Sequence, residues 1–205
     1  MPTHRVLSAR TPSVSRRGLL LASAFGAAGL TTAASLAPAR AAGEVWTEEF
    51  MTRPETVEGF DVNAMTDWQV ENAKFIIARC AGHGFGIEGT KITLATAIVE
   101  SWLYNYEPAV DHDSGGLFQQ RPSMSWGSYE QVRHKKLAID AFLGLGPHTS
   151  NPGLLQLQPY YKEWDPGAAA QAVQRSAHPE RYGQQMGAAQ IIWDRYAPDV
   201  DPFTG

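Results

Sequence analysis

The chain predicts a mainly helical single domain, and three observations carry that expectation. No strand-like alternation runs longer than a few residues. Helix-capping signals recur from Thr66 to Pro179. One stretch, Ile92 to Trp102, is apolar over much of its circumference, as the central helix of a small domain must be. There is no internal repeat.

Residues 1–41 stand apart from this domain. Arg16 and Arg17 precede Gly18-Leu19-Leu20-Leu21, a small-residue apolar stretch follows to about Leu36, and Ala39-Arg40-Ala41 offers a small-x-small cleavage site. That layout reads as a twin-arginine-type signal peptide. Gly26, Gly29, Thr31, Thr32 and Ser35 dilute it too far for a permanent membrane span. The expected product is secreted or cell-wall associated, soluble, monomeric and free of the membrane after signal cleavage.

Removing residues 1–41 takes five arginines from the 17 basic residues and none of the 21 acids, leaving a formal charge of −9. Such an acid excess argues against nucleic acid and anionic membranes as partners. Cys80 is the only cysteine, so no disulfide can form within the chain, and stability must come from a core. Cys80 itself reads as a small buried hydrophobe.

Residues 42–65 lack periodicity and read as an irregular arm. Thr66 or Asp67 caps a first helix starting at Trp68, with Phe75, Ile76 and Ile77 on its apolar side and Gly82-His83-Gly84 as its stop. A second helix opens near Gly89-Thr90 and runs to about Tyr104. On it Thr93, Thr96 and Glu100 share one narrow polar face, which must meet water, a partner or a substrate. Spacing alone leaves two readings of Glu100 open. It is an acid facing a ligand, or a helix-end glutamate paired to an arginine or capping a loop.

A loop from Asn105 to Gly116 carries Asp111-His112-Asp113, and Gly115-Gly116 turns the backbone sharply. A metal reading of that acidic triplet fails for want of a calcium-loop glutamate or a second histidine at zinc spacing, so no metal and no cofactor are expected. Ser128-Tyr129-Glu130-Gln131 is a capping box that starts a helix towards Leu143. Gly144 to Gly153 is a loop, and residues 154–164 are ambiguous, with Tyr160, Tyr161 and Trp164 offering aromatic surface. Asp165-Pro166 caps a helix over Ala168 to Arg175, and Pro179 opens a last helix to about Tyr196. The domain thus spans residues 66–197, and the tail of residues 198–205 is expected to fray.

A lone carboxylate among apolar side chains resists ionising, which suits it to proton donation near neutral pH. At Glu100-Ser101 followed by Gly116-Leu117-Phe118-Gln119, the chain resembles the lysozyme-like superfamily of lytic transglycosylases and goose-type lysozymes. The longer string Asp113 to Ser123, and Ala169 to Ser176 with Pro179 and Tyr182 after it, are similar to domains of exported actinobacterial cell-wall proteins. The resemblance covers about residues 66–196.

It implies a bilobed helical fold with a glycan groove, and peptidoglycan strands as substrate. It implies that Glu100 protonates the oxygen between N-acetylmuramic acid and N-acetylglucosamine. In a lytic transglycosylase the same carboxylate then serves as base, giving a 1,6-anhydro end. A hydrolytic muramidase of the inverting kind needs a second carboxylate to position water. Asp111 and Asp113 are the local candidates, and both read equally as turn formers. Gln119 matches the glutamine of the family's turn, Gln174 is a loose match, and Tyr182 stands where a tyrosine accompanies the catalytic carboxylate. Ser101, Gln120 and Arg121 complete the implied substrate-binding set. Trp102, Tyr104, Tyr106 and Trp126 are candidate sugar-stacking aromatics or core. The implied reaction is transglycosylase cleavage, with a hydrolytic muramidase or a non-catalytic wall-binding module on the same fold as alternatives.

Overall fold

The computed structural model describes Phe50, residues 59–107, Ala109 and residues 111–205. The signal-peptide reading of residues 1–41 and most of the arm assigned to 42–65 lie outside the described residues. Among the described residues the chain is mainly helical, with seven α-helices, short 3-10 turns and no strand beyond one isolated bridge between Gly115 and Gln120. No helix among them is long and apolar enough to cross a membrane.

Helix α1 (Asp67–Gly82) starts at the cap expected of it. Thr66 accepts from the Gln69 amide at 3.4 Å, and Gln69 Oε1 accepts from the Thr66 amide at 2.8 Å. This reciprocal box contributes about 1 kcal/mol. Helix α2 (Gly86–Ser101) is the centre of the domain, with Ile92, Leu94, Ala95, Ala97 and Ile98 all buried. Each of its large aliphatic side chains stabilises the fold by about 1.5–3 kcal/mol. It begins earlier and ends earlier than the sequence predicts. Gly86 supplies a positive φ at its start, and Trp102 and Leu103 leave the helix at φ 53° and 64°. Two side chains of α1 hold that ending. Gln69 Nε2 donates to the Trp102 carbonyl at 2.9 Å and Asn72 Nδ2 to the Leu103 carbonyl at 2.8 Å. Left-handed non-glycine residues cost about 1–2 kcal/mol each, so the reversal directly after Glu100 is kept by these partners rather than by local preference.

The single helix expected from Tyr129 to Leu143 is two, α3 (Tyr129–Arg133) and α4 (Lys135–Leu143). The break at His134 frees the Arg133 carbonyl, which accepts from Asn105 Nδ2 at 3.0 Å. The same corner receives the glycine turn: a Cβ on Gly116 (φ +70°) would overlap the Val132 carbonyl oxygen. Arg133 is buried and donates to the carbonyls of Glu107, Tyr129 and Ser114, so one guanidinium pins both ends of the loop that carries Asp111 and Asp113.

Residues 154–164 resolve into two 3-10 turns. Tyr161, expected on the surface, is fully buried and donates to the Phe85 carbonyl at 2.9 Å. Helix α5 (Pro166–Gln174) has Asp165 as its cap and proline in its first turn. The last predicted helix is also split, into α6 (Glu180–Gln184) and α7 (Met186–Tyr196). The C-terminal tail does not fray as expected. The Phe203 amide donates to the Ala78 carbonyl at 2.9 Å, its ring lies 5.7 Å from that of Phe75, and Arg79 donates to the carbonyls of Phe203 and Gly205. Arg79 is itself buried and paired with Asp140, so the tail closes over an ion pair that would otherwise face water. Cys80 lies in the core with its thiol pushed up to about 12 by burial, an inert side chain.

Candidate functional site

A cleft of about 990 Å³ runs past the C-terminal end of α2. Its lining comes from that helix end, from the loop between Asp111 and Trp126, and from residues 173–185 at the end of α5 and in α6. Glu100 and Gln119 lie in it, and so do Arg121, Gln174, Trp102 and Trp126.

Glu100 is half-buried, and no ion pair among the described residues includes it. The Tyr182 hydroxyl donates to its Oε1. Burial pushes the Glu100 carboxyl above the ordinary glutamate range, and hydrogen bonds from Tyr182 and Gln174 together with the nearby Arg181 charge pull the other way. Burial, and then the Glu100 charge, raise the Tyr182 phenol, so it stays a donor across the working pH range. The result is a carboxylic acid that holds its proton to higher pH, with two donors ready for the anion once the proton leaves. Of the alternatives for Glu100, pairing to an arginine is not found among the described residues.

The polar face expected along α2 does not extend beyond this residue. Thr93 and Thr96 are fully buried, and their hydroxyls donate to the Gly89 and Ile92 carbonyls one turn back at 2.7 Å each. A threonine that bonds its own helix needs no outside partner, and hydrophobic patterning alone does not anticipate that.

Ser101, predicted to contact substrate, borders the cleft, as Gln120 does, but is buried, with its hydroxyl 3.0 Å from the Ala97 carbonyl and 2.8 Å from that of Leu117. It ties the helix end that carries Glu100 to the glycine turn. The Gln120 side chain is likewise buried and donates to the Ala138 carbonyl at 3.1 Å, anchoring the turn to α4. Gln119 faces the cleft, at φ 47°, with its amide donating to the Gly116 carbonyl at 2.9 Å. Gln174 bridges from α5, giving one N–H to the Phe118 carbonyl at 2.9 Å beside the Glu100 carboxylate. Phe118 itself is buried and stacks on Phe142 at 5.0 Å.

Asp113 is placed as a loop brace. Its Oδ1 accepts from Arg121 Nε at 2.9 Å and from the Ser123 hydroxyl at 2.9 Å, and its Oδ2 accepts from the Ser123 amide at 2.7 Å. The Arg121 guanidinium, then the Ser123 amide, hold its carboxyl well below the usual carboxylate range. Asp113 is not among the residues lining the cleft, whereas Asp111 is, with a side chain 82% exposed on the rim. The Asp111 carbonyl accepts from the Ser114 amide at 3.0 Å, which makes it a turn former in its backbone. Among the aromatic candidates, Trp102 and Trp126 reach the cleft, Tyr106 lines it while buried, and Tyr104 is core against Tyr106.

The sequence reading passed over Arg175, His178 and Arg181, all of which line the cleft. One signal was available: Arg175 follows a helix where glycine usually stands, and it takes φ 56° there. Compared with known proteins, the chain matches no family model, and no curated protein matches it.

Proposed function

We propose that this protein is an exported enzyme that cleaves peptidoglycan glycan strands between N-acetylmuramic acid and N-acetylglucosamine, with Glu100 as general acid and then base, leaving a 1,6-anhydro end. The observation that carries the reading is a half-buried carboxyl in the cleft, its proton affinity raised by burial and its oxygen faced by the Tyr182 hydroxyl. The resemblance of Glu100-Ser101, Gly116 to Gln119 and Ala169 to Ser176 to lysozyme-like cell-wall proteins supplies the substrate class, and a cleft of about 990 Å³ beside Glu100 supports it.

The chemistry follows from that carboxyl. Protonated Glu100 gives its proton to the glycosidic oxygen as the bond to the muramic anomeric carbon breaks, releasing the neighbouring sugar as an alcohol. The carboxylate left behind accepts from Tyr182 and Gln174, which stabilises the charge as it develops. The muramic 6-hydroxyl then attacks the anomeric carbon, and its proton returns to Glu100. Each turnover ends with the acid as it began. One carboxylate suffices for this route, and the engagement of Asp113 by Arg121 and Ser123 favours it over water activation by Asp113.

The test is mass spectrometry of purified peptidoglycan after incubation with the protein and with Glu100→Gln. Anhydro-muramic ends, absent with the variant, are the expected result. Reducing muramic ends would replace the mechanism by hydrolysis. No released fragments from folded protein would favour a binding module.

A further inference from the structure

Six arginines fall among the described residues, and four are committed inside the protein. Arg79 pairs with Asp140, Arg121 with Asp113, Arg133 holds three carbonyls, and Arg195 donates to Val62 and Asn63. The guanidiniums of Arg175 and Arg181 have no hydrogen-bond or ion-pair partner among the described residues, and both line the cleft that contains Glu100. Residues 42–205 carry a formal charge of −9, so two unpaired cations on one short stretch of a concave wall run against the charge of the chain around them. Arg175 is exposed and stands in a left-handed conformation at the end of α5, where a glycine would be easier. His178 lies between the two, 3.9 Å from Glu180, and the other charged groups on the cleft are Glu100, Asp111, His112 and the Asp113-bound Arg121.

We propose that Arg175 and Arg181 form a carboxylate subsite, through which the protein selects acid-bearing glycan over neutral glycan. The inference rests on the glycan-cleaving reading above and deepens it. A guanidinium is suited to this task because its planar fork meets a carboxylate with two parallel hydrogen bonds. Peptidoglycan offers that chemistry from two sources, the lactyl group of a muramic residue stripped of its peptide and the free carboxylates of the stem peptide. Neutral N-acetylglucosamine oligomers offer neither.

The experiment is calorimetric binding to the Glu100→Gln protein, which holds strands without turnover, at low and high salt. The probes are N-acetylglucosamine oligomers, peptide-free muramyl strands of the same sugar length, and muramyl strands with intact stems. The acid-bearing probes should bind about tenfold more tightly than the neutral one at low salt, the size expected of two partly screened charge-assisted contacts. High salt should shrink that ratio, and Arg175→Gln with Arg181→Gln should collapse it towards one, while the paired lysine substitutions keep part of it. A preference already present with peptide-free strands assigns the lactyl carboxylate; one confined to intact stems assigns the peptide. Equal affinity for neutral and acidic strands, or a preference that survives the double glutamine variant, overturns the subsite and leaves the glycan reading standing. No binding to any of the three probes overturns both.

Discussion

Glu100→Gln should make the protein more stable at neutral pH while abolishing its activity. The carboxylate has about four acceptor positions; Tyr182 occupies one, and the Gln174 amide stands close enough to favour the anion. Cleft water meets part of the remainder, and under-satisfaction of a buried charged group costs about 1–3 kcal/mol. Glutamine keeps the shape and the acceptor for Tyr182 and carries no charge. Its gain should therefore be about 1–2 kcal/mol at pH 8, or roughly 3–6 °C in Tm for a chain of this size. The sign follows from linkage. The folded carboxyl binds its proton more tightly than the unfolded one, so the wild-type protein loses stability as pH rises from the ordinary glutamate value through the raised folded value. Below the ordinary value both states are protonated and the two proteins should melt together. Thermal unfolding followed by circular dichroism between pH 4 and pH 8 measures this directly. Equal Tm values at pH 8, or a less stable variant, would refute the argument that burial strains the ionised acid.

Tyr182→Phe removes the donor that holds the Glu100 proton affinity down, so the high-pH limb of the pH–rate profile should move upward. Its rate should fall about 10–100-fold, the worth of one hydrogen bond to a developing charge, and an unmoved limb would detach Tyr182 from the acid. Asp113→Asn should keep glycan cleavage within about tenfold of wild type, because it loosens a loop and leaves the reacting carboxyl in place. The depressed Asp113 carboxyl supports the loop above the ordinary aspartate value and loses that role as pH falls through its folded value, so the variant's Tm deficit should disappear in strong acid. Gly116→Ala forces a left-handed alanine onto the Val132 carbonyl and should cost about 2–4 kcal/mol in urea unfolding. Gly187→Ala, on α7 with open space around the added Cβ, should be neutral or stabilising by about 0.4–1 kcal/mol.

The sequence by itself determined the features whose causes lie within a few residues of one another. The Thr66 and Ser128 capping boxes, the Asp165-Pro166 start and the apolar run of α2 each need only a neighbouring turn to act, and each is present where the residues put it. The helix endings were less legible, because they depend on partners from elsewhere. Trp102 and Leu103 turn left-handed against their own preference only because Gln69 and Asn72 hold their carbonyls. His134 breaks a helix that propensity would continue, since Asn105 and the glycine turn occupy that corner. The tail looked free because nothing local binds it, and its anchor at Ala78 and Arg79 is more than a hundred residues back.

At the site, the chemistry of Glu100 could be suspected from an acid on an apolar helix, but its environment could not. Tyr182 is 82 residues away along the chain and reaches the carboxylate only because α6 packs against α2. Packing likewise decided which polar side chains already have partners within the protein, as Ser101, Gln120 and Asp113 do, and which stand in the cleft without an ion pair, as Arg175 and Arg181 do. A side chain's type states what it can donate or accept. Only the tertiary structure decides whether the protein has already taken it.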